Sequence, residues 1–252
     1  MPRYFIELSY KGTAFQGFQI QDKGITVQGE VNKTLQTYYR QPVQTTTSSR
    51  TDSGVHARQN FLHFDADFPI RQKDLFHLNC IIHPDIVFQN IYTCKADAHC
   101  RFDALSRSYS YFLERKKEPF LQELRYYFPF SLNPGILKET ADIIQRTRNF
   151  QSFAKRNSDV TNYECHIYSS EWIVDEEKNL CFKIKGNRFL RGMVRALVAT
   201  QLNVGRGKIT IGEFESVIAS GNCTMADFGA PAKGLFLDQV EYPYSIDLQK
   251  VL

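Results

Sequence analysis

Short segments in which apolar and polar side chains alternate limit the folds that are open to this chain. The clearest is RYFIELSY at residues 3–10, and RSYSYFLER at residues 107–115 repeats the pattern. A period of two residues is typical of a β-strand with one buried face. Further strands are predicted at residues 43–47, 60–64, 86–94, 164–174, 180–185 and 234–240.

Helical segments separate these strands. Apolar residues recur every four positions over residues 27–39, which predicts a helix with Thr26 as its N-cap. Asn133 followed by Pro134 predicts the start of a second helix that runs to about residue 146. Two more helices are predicted at residues 188–204 and 211–219. Strands outnumber helices and several neighbours resemble hairpins, which favours an α+β fold with mixed, largely antiparallel sheets.

The chain length allows one large domain or two small ones. The chain has 252 residues, and its periodicity is lost around residues 116–120. We place the boundary between two halves near residue 105. This divides the chain into an N-terminal half at 1–104 and a C-terminal half at 105–252. Neither the Gly-x-Gly-x-x-Gly nor the Gly-x-x-x-x-Gly-Lys motif occurs, so no nucleotide cofactor is predicted.

Hydropathy and cysteine usage predict a cytoplasmic protein. No apolar run approaches the roughly 20 residues that span a bilayer, and the N-terminus lacks the pattern of a secretory signal. The six cysteines are scattered without a Cys-x-x-Cys pair, which is typical of reduced thiols. A zinc site built from Cys94, His99 and Cys100 would lack the usual second pair of ligands, so no metal is predicted.

The net charge of +4 permits a nucleic-acid partner without requiring one. Cations concentrate at residues 185–195, where Arg188, Arg191 and Arg195 would share one face of the predicted helix. That face is either solvated or turned towards RNA phosphate or a buried carboxylate. Tyr109 and Tyr111 share one face of a strand, where they are either ordinary strand aromatics or a stacking wall.

Asp52 stands in a polar turn, RTDSGVHA, between Arg50 and His56. It is a turn carboxylate bonded to its own backbone, half of an aspartic-protease dyad, or a nucleophile held beside a cation. The chain has a single Asp-Ser-Gly, so only a symmetric dimer would supply a dyad. A nearby arginine also favours ionisation of both carboxylates, which opposes the shared proton that a dyad needs.

The same turn resembles the signature Gly-Arg-Thr-Asp-Ala-Gly-Val-His of the tRNA pseudouridine synthase A family. The resemblance extends, in order, over nearly the whole chain. It is carried by YKGTAFQGFQIQ, TVQGEVNKTL, RTDSGVHA, RFDALSRSYSYFL, RNFQSFAK, GNRFLRGMVR and APAKGLFLDQVEYP. Departures from the family pattern occur at Lys11, Phe18, Ser49, Ser53 and Asn60, and they bear on the shape of the RNA-binding surface more than on the reaction.

The resemblance implies an isomerase that converts uridine to pseudouridine at positions 38, 39 and 40 of the tRNA anticodon stem-loop. It implies two ferredoxin-like halves that form a central catalytic cleft, a homodimer, and no cofactor. Asp52 would be the nucleophile, Arg195 its ion-pair partner, and Tyr109 the residue that stacks on the base and assists proton transfer. RNA contacts are expected from Arg50, His56, Arg58, Tyr109, Arg188 and Arg191. The rival hypothesis is a non-catalytic RNA-binding module, in which Asp52 is dispensable.

Overall fold

The computed structural model describes residues 1–156 and 160–251. Within them the strands are β1 (Arg3–Tyr10), β2 (Thr46–Thr47), β3 (His56–Asp65), β4 (Ile86–Cys94), β5 (Ser106–Glu114), β6 (Tyr126–Tyr127), β7 (Ile167–Val174), β8 (Leu180–Gly186), β9 (Leu235–Glu241) and β10 (Gln249–Lys250). The α-helices are α1 (Val27–Tyr39), α2 (Asp74–Ile81), α3 (Pro134–Arg146), α4 (Met193–Gly205) and α5 (Ile211–Ser220). No helix in these two ranges is both long and apolar enough to cross a membrane.

The chain forms two compact units. The first consists of Met1–Leu105 together with Leu237–Leu252, and the second is Ser106–Phe236. The sequence placed the division between residues 104 and 105 but kept the C-terminal segment with the second half. That segment lies in the first unit because β10 pairs with β4 and the ring of Tyr242 packs against Phe61, 5.1 Å away.

The first unit is built around β1, which is antiparallel to β3 on one side and to β4 on the other. Ile6 of β1 faces Leu62 and Ile91 in register, and all three side chains are buried. The helix α1 begins where the sequence predicts it, because the Thr26 side chain accepts the Gly29 N–H at 3.2 Å. The short helix α2 was not predicted, since its eight residues, DLFHLNCI, do not show the apolar periodicity of an amphipathic helix.

The second unit holds β5 antiparallel to β8, and β8 antiparallel to β7. The helix α3 packs against β7 and begins at the predicted cap, where the Asn133 side chain accepts the N–H groups of Gly135 and Ile136. Its buried stripe includes Leu137 and Ile144. Apart from the parallel pair β5 and β6, the pairings within each unit of the described chain are antiparallel. The predicted α+β class is therefore confirmed.

The predicted start of the helix at residues 188–204 is wrong. The helix α4 begins at Met193, and Gly192 before it adopts a left-handed backbone with φ of +73°. A residue in that conformation cannot continue a right-handed helix towards its N-terminus. Arg188 and Arg191 therefore precede the helix, and they do not share a helical face with Arg195.

Candidate active site

Asp52 lies on a tight turn between β2 and β3, in the first unit. The Val55 N–H bonds the Asp52 carbonyl at 3.1 Å, and Gly54 has φ of +78°, which only glycine adopts readily. The sequence predicted this turn, and the structure confirms it. The Asp52 side chain stands at the turn partly exposed, while Thr51 and Val55 on either side are buried.

A separate segment of the first unit braces the turn. The Phe15 carbonyl accepts the Gly54 N–H at 3.3 Å and the Ser53 hydroxyl at 3.2 Å. The Phe18 N–H donates to the Thr51 carbonyl at 3.1 Å. Both phenylalanine side chains are buried. Backbone hydrogen bonds on both sides of Asp52 thus hold the turn against a buried support.

Polar side chains beneath the turn form a buried hydrogen-bond network. Tyr10 Oη lies 2.8 Å from Thr51 Oγ1, and Asn60 Nδ2 donates to the same tyrosine oxygen at 3.3 Å. The Asn60 amide also donates to the Ser49 carbonyl at 3.0 Å and accepts from the Ser48 hydroxyl at 2.9 Å. The network links β1 and β3 to the residue before Asp52.

The three predicted RNA-binding residues next to Asp52 differ in their surroundings. Arg50 is exposed. Arg58 is exposed as well, and it forms an ion pair with Asp238 at 2.9 Å. His56 is only 1% exposed, and its Nδ1 accepts the Gly12 N–H at 2.9 Å. The burial of His56 favours a role in holding the turn over the predicted contact with phosphate.

Tyr109 lies on β5 of the second unit, opposite Ile184 of β8. It is half-buried, and its ring makes an edge contact with Phe189 at 5.1 Å between centroids. Tyr111 is fully buried and donates its hydroxyl to the Pro231 carbonyl at 2.7 Å. Burial raises the pKa of Tyr111 far above its usual range. Tyr111 is thus a structural strand aromatic, whereas Tyr109 keeps part of its ring accessible.

Arg195 lies in the first turn of α4, also in the second unit. Its Nε donates to the Ala230 carbonyl at 2.7 Å. The loop that carries Ala230 is held in turn, since the Asp227 N–H donates to the Thr200 hydroxyl at 3.1 Å. The bond through Nε orients the guanidinium plane, whose two terminal nitrogens have the geometry that matches a carboxylate.

The structure thus places the predicted site residues in two groups. Arg50, Asp52, His56 and Arg58 belong to the first unit. Tyr109, Arg188, Arg191 and Arg195 belong to the second. The pairing of Asp52 with Arg195 stays a prediction, as do the individual roles in chemistry and RNA binding.

Two imidazoles and a thiol lie together in the first unit. The potential ligand atoms of His63, His99 and Cys100 lie within 4.8 Å of one another. In both imidazoles Nδ1 already accepts a backbone N–H, from Cys100 at 3.2 Å for His63 and from Arg101 at 3.1 Å for His99. A neutral imidazole that accepts at Nδ1 carries its proton on Nε2. This donor set therefore suits internal packing better than metal coordination.

The sequence did not predict the residues of the buried hydrogen-bond network beneath the Asp52 turn. Tyr10 continues the alternation of Ile6 and Leu8 along β1, which predicts burial but no hydrogen-bond partner. Thr51 carries no periodic signal, and Asn60 was noted only as a departure from the family pattern. A signal did exist, because Asn60 is the first residue of the predicted strand NFLHF, whose five residues are all buried in the structure. A buried amide needs several hydrogen-bond partners, so its position marks a polar network.

Comparisons with known proteins give consistent results. A family model described as tRNA pseudouridine synthase matches residues 147–243. A protein of Bacteroides thetaiotaomicron named tRNA pseudouridine synthase A is 41% identical over 249 residues, which cover 98% of this chain and 93% of that protein. Proteins with the same name are 40% identical in Parabacteroides distasonis, over 96% of this chain and 97% of theirs, and 34% identical in Staphylococcus aureus, over 94% and 90%.

Proposed function

This chain belongs to the tRNA pseudouridine synthase A family, and on that premise we propose that it isomerises uridine to pseudouridine in tRNA. The proposed targets are positions 38, 39 and 40 of the anticodon stem-loop. The observation that carries the proposal is the Asp52 turn, where a partly exposed carboxylate stands on a backbone braced from both sides. A nucleophile needs this combination of access and fixed position.

The reaction rearranges bonds without a net change in atoms or electrons. The bond from N1 to C1′ breaks, the base turns, and C5 bonds to C1′. The proton on C5 is lost and N1 gains one, so the product is an isomer of the substrate. The Asp52 carboxylate serves as the nucleophile, either towards C6 of the base or towards C1′ of the sugar.

Arg195 and Tyr109 supply the other two parts of the proposed chemistry. The guanidinium of Arg195, oriented through its bond to the Ala230 carbonyl, pairs with Asp52 and favours the charged, nucleophilic form of the carboxylate. Tyr109 offers a partly accessible ring beside Phe189 for stacking on the extruded base, and its hydroxyl assists removal of the C5 proton.

The target base must leave its stack before it reacts, at a cost of a few kcal/mol. Arg50, exposed two residues before Asp52, is proposed to hold the displaced strand or fill the gap. Arg58, Arg188 and Arg191 are proposed to contact phosphate. His56 is left out of this group because it is buried and bonded to Gly12. We also propose that the enzyme works as a homodimer, which light scattering on the purified protein would test.

The test is release of tritium from tRNA labelled at C5 of uridine. Wild type is expected to release tritium and to place pseudouridine at positions 38–40. Asp52→Asn is expected to bind tRNA with no detectable turnover, and Asp67→Asn, which changes an exposed aspartate of the same unit, is the matched control. Turnover by Asp52→Asn would show that the nucleophile is misassigned. No release by wild type, on several unmodified tRNAs, would favour the non-catalytic RNA-binding module.

A further inference from the structure

The amide of Asn60 is the best-connected side chain beneath the Asp52 turn. It is 0% exposed. Its nitrogen donates to the Ser49 carbonyl and to Tyr10 Oη, at 3.0 and 3.3 Å. Its oxygen accepts the Ser48 hydroxyl and the Phe61 N–H, both at 2.9 Å. Because both donors and both acceptor sites are used, the amide has one orientation, and it fixes where the tyrosine oxygen lies.

Tyr10 links Asn60 to Thr51, the residue before the proposed nucleophile. Its hydroxyl lies 2.8 Å from Thr51 Oγ1, and its ring packs against Phe18 at 5.7 Å between centroids. Thr51 is therefore held twice, by its side chain through Tyr10 and by its carbonyl through the Phe18 N–H. The peptide that joins Thr51 to Asp52 is planar, so a rotation at Thr51 moves the whole of Asp52.

We propose that the hydrogen-bond chain from Asn60 through Tyr10 to Thr51 sets the attacking position of the Asp52 carboxylate, with Tyr10 and Thr51 as positioning residues. The inference rests on the proposed function, and it adds two buried residues that act through the backbone of Asp52. A displacement of about 1 Å at a reacting group costs roughly 100-fold in rate. The bonds of the turn to Phe15 and Phe18 do not involve the tyrosine hydroxyl, so the turn keeps its support when that hydroxyl is removed.

The test is the steady-state kinetics of Tyr10→Phe, Thr51→Val and the double variant. Each single change removes one hydroxyl and keeps the shape of the side chain. Each is expected to lower kcat about 10- to 100-fold, with KM for tRNA within about twofold of wild type, because positioning affects the reacting state more than binding. The double variant is expected to be no slower than the slower single variant, since both changes break the same contact.

Two further variants separate positioning from a general loss of structure. Thr51→Ser keeps the hydroxyl and is expected to hold kcat within about threefold of wild type. Tyr39→Phe removes a hydroxyl that bonds Asp74 at 3.1 Å, away from the turn, and is expected to leave kcat unchanged. Thermal melting checks that each variant is folded at the assay temperature. If Tyr10→Phe is not folded there, the comparison of Thr51→Val with Thr51→Ser decides.

The outcomes distinguish this inference from the proposed function. Wild-type turnover together with normal kcat in Tyr10→Phe and Thr51→Val would overturn the inference and leave the proposed function intact. Losses that multiply in the double variant would also overturn it, because the two hydroxyls would then act independently. A wild-type protein without turnover would overturn the proposed function, and the positioning role with it.

Discussion

His63 shows how burial changes the chemistry of a single residue. It is 6% exposed, it stacks on Phe5, and its Nδ1 accepts the Cys100 N–H. Burial lowers the pKa of His63 to about 4, and the nearby cation of Arg3 acts in the same direction. The imidazole is therefore neutral in the folded protein at pH values where an unfolded chain would protonate it.

The stability of the protein is expected to fall as the pH drops from about 6.5 to about 4. In that window the unfolded chain binds a proton at His63 and the folded chain does not, so acid favours unfolding. The contribution of His63 is at most about 3 kcal/mol. Urea unfolding across this range measures it, and His63→Asn, which keeps an acceptor for the Cys100 N–H, is expected to show a shallower decline.

Titratable groups near His63 determine how much of the loss of stability in acid remains in His63→Asn. Burial also lowers the pKa of His99, so part of the decline is expected to remain. The Asp65 carboxyl accepts a hydrogen bond from Arg3, which lowers its pKa and favours the charged carboxylate. His77→Gln, at an exposed histidine of α2, is the matched control. If the stability of His63→Asn falls with pH as steeply as that of wild type, other groups cause the acid sensitivity.

Among the elements, the one-turn 3-10 helix Gly12–Ala14 can form as it does only because Gly12 has no side chain. A Cβ at Gly12 would lie 2.0 Å from the Val55 carbonyl oxygen, which belongs to the backbone and cannot rotate away. The Gly12 N–H also bonds His56. This close approach joins the 3-10 helix to the end of the Asp52 turn, so the shape of one depends on the other.

Gly12→Ala is therefore expected to lower stability by about 1–3 kcal/mol and to reduce turnover, because the backbone has to separate from the Asp52 turn. Urea unfolding and tritium release measure the two effects. Gly212→Ala in α5 is the control, since a Cβ there meets nothing within 4 Å. That change is expected to be neutral or to stabilise by up to about 1 kcal/mol. If Gly12→Ala and Gly212→Ala have the same stability and the same turnover, the close approach of Gly12 to the Val55 carbonyl does not matter.

The whole molecule carries a net charge of only +4, so its affinity for RNA depends on where the cations lie. Arg50 is exposed beside Asp52, whereas Arg58 is engaged with Asp238. An exposed ion pair of this kind contributes about 0–1 kcal/mol, so the exchange of Asp238 for a phosphate is a small change in energy. Binding of a polyanion is then governed by the release of its counterions.

Binding of tRNA is expected to weaken steeply with salt, with a log–log slope of about −0.7 to −0.9 for each phosphate contacted. Arg50→Ala is expected to reduce the magnitude of that slope by roughly 1, as the loss of one phosphate contact does. Fluorescence anisotropy with labelled anticodon stem-loop RNA measures both slopes. Lys138→Ala, at an exposed lysine of α3, is expected to keep the wild-type slope. An unchanged slope in Arg50→Ala would remove Arg50 from the RNA interface.

Local signals in the sequence were sufficient for several elements and for the turn of the site. β1, α1 and α3 have their predicted bounds because periodicity and caps act over a few residues. The turn at Asp52 was predicted from Ser53 and Gly54 for the same reason. The family resemblance named Asp52, Tyr109 and Arg195 as site residues, and their roles stay predictions.

Contacts between distant residues were decided by the tertiary structure. The contact of Tyr10 with Thr51 joins positions 41 residues apart, and that of Asn60 with Tyr10 spans 50. Such pairs depend on the register of β1 against β3, which no local pattern states. The same holds for the pairing of β10 with β4, which places the end of the chain in the first unit. The sequence by itself determined the family, the turn and the strongly periodic or capped elements β1, α1 and α3, while long-range packing decided what supports Asp52.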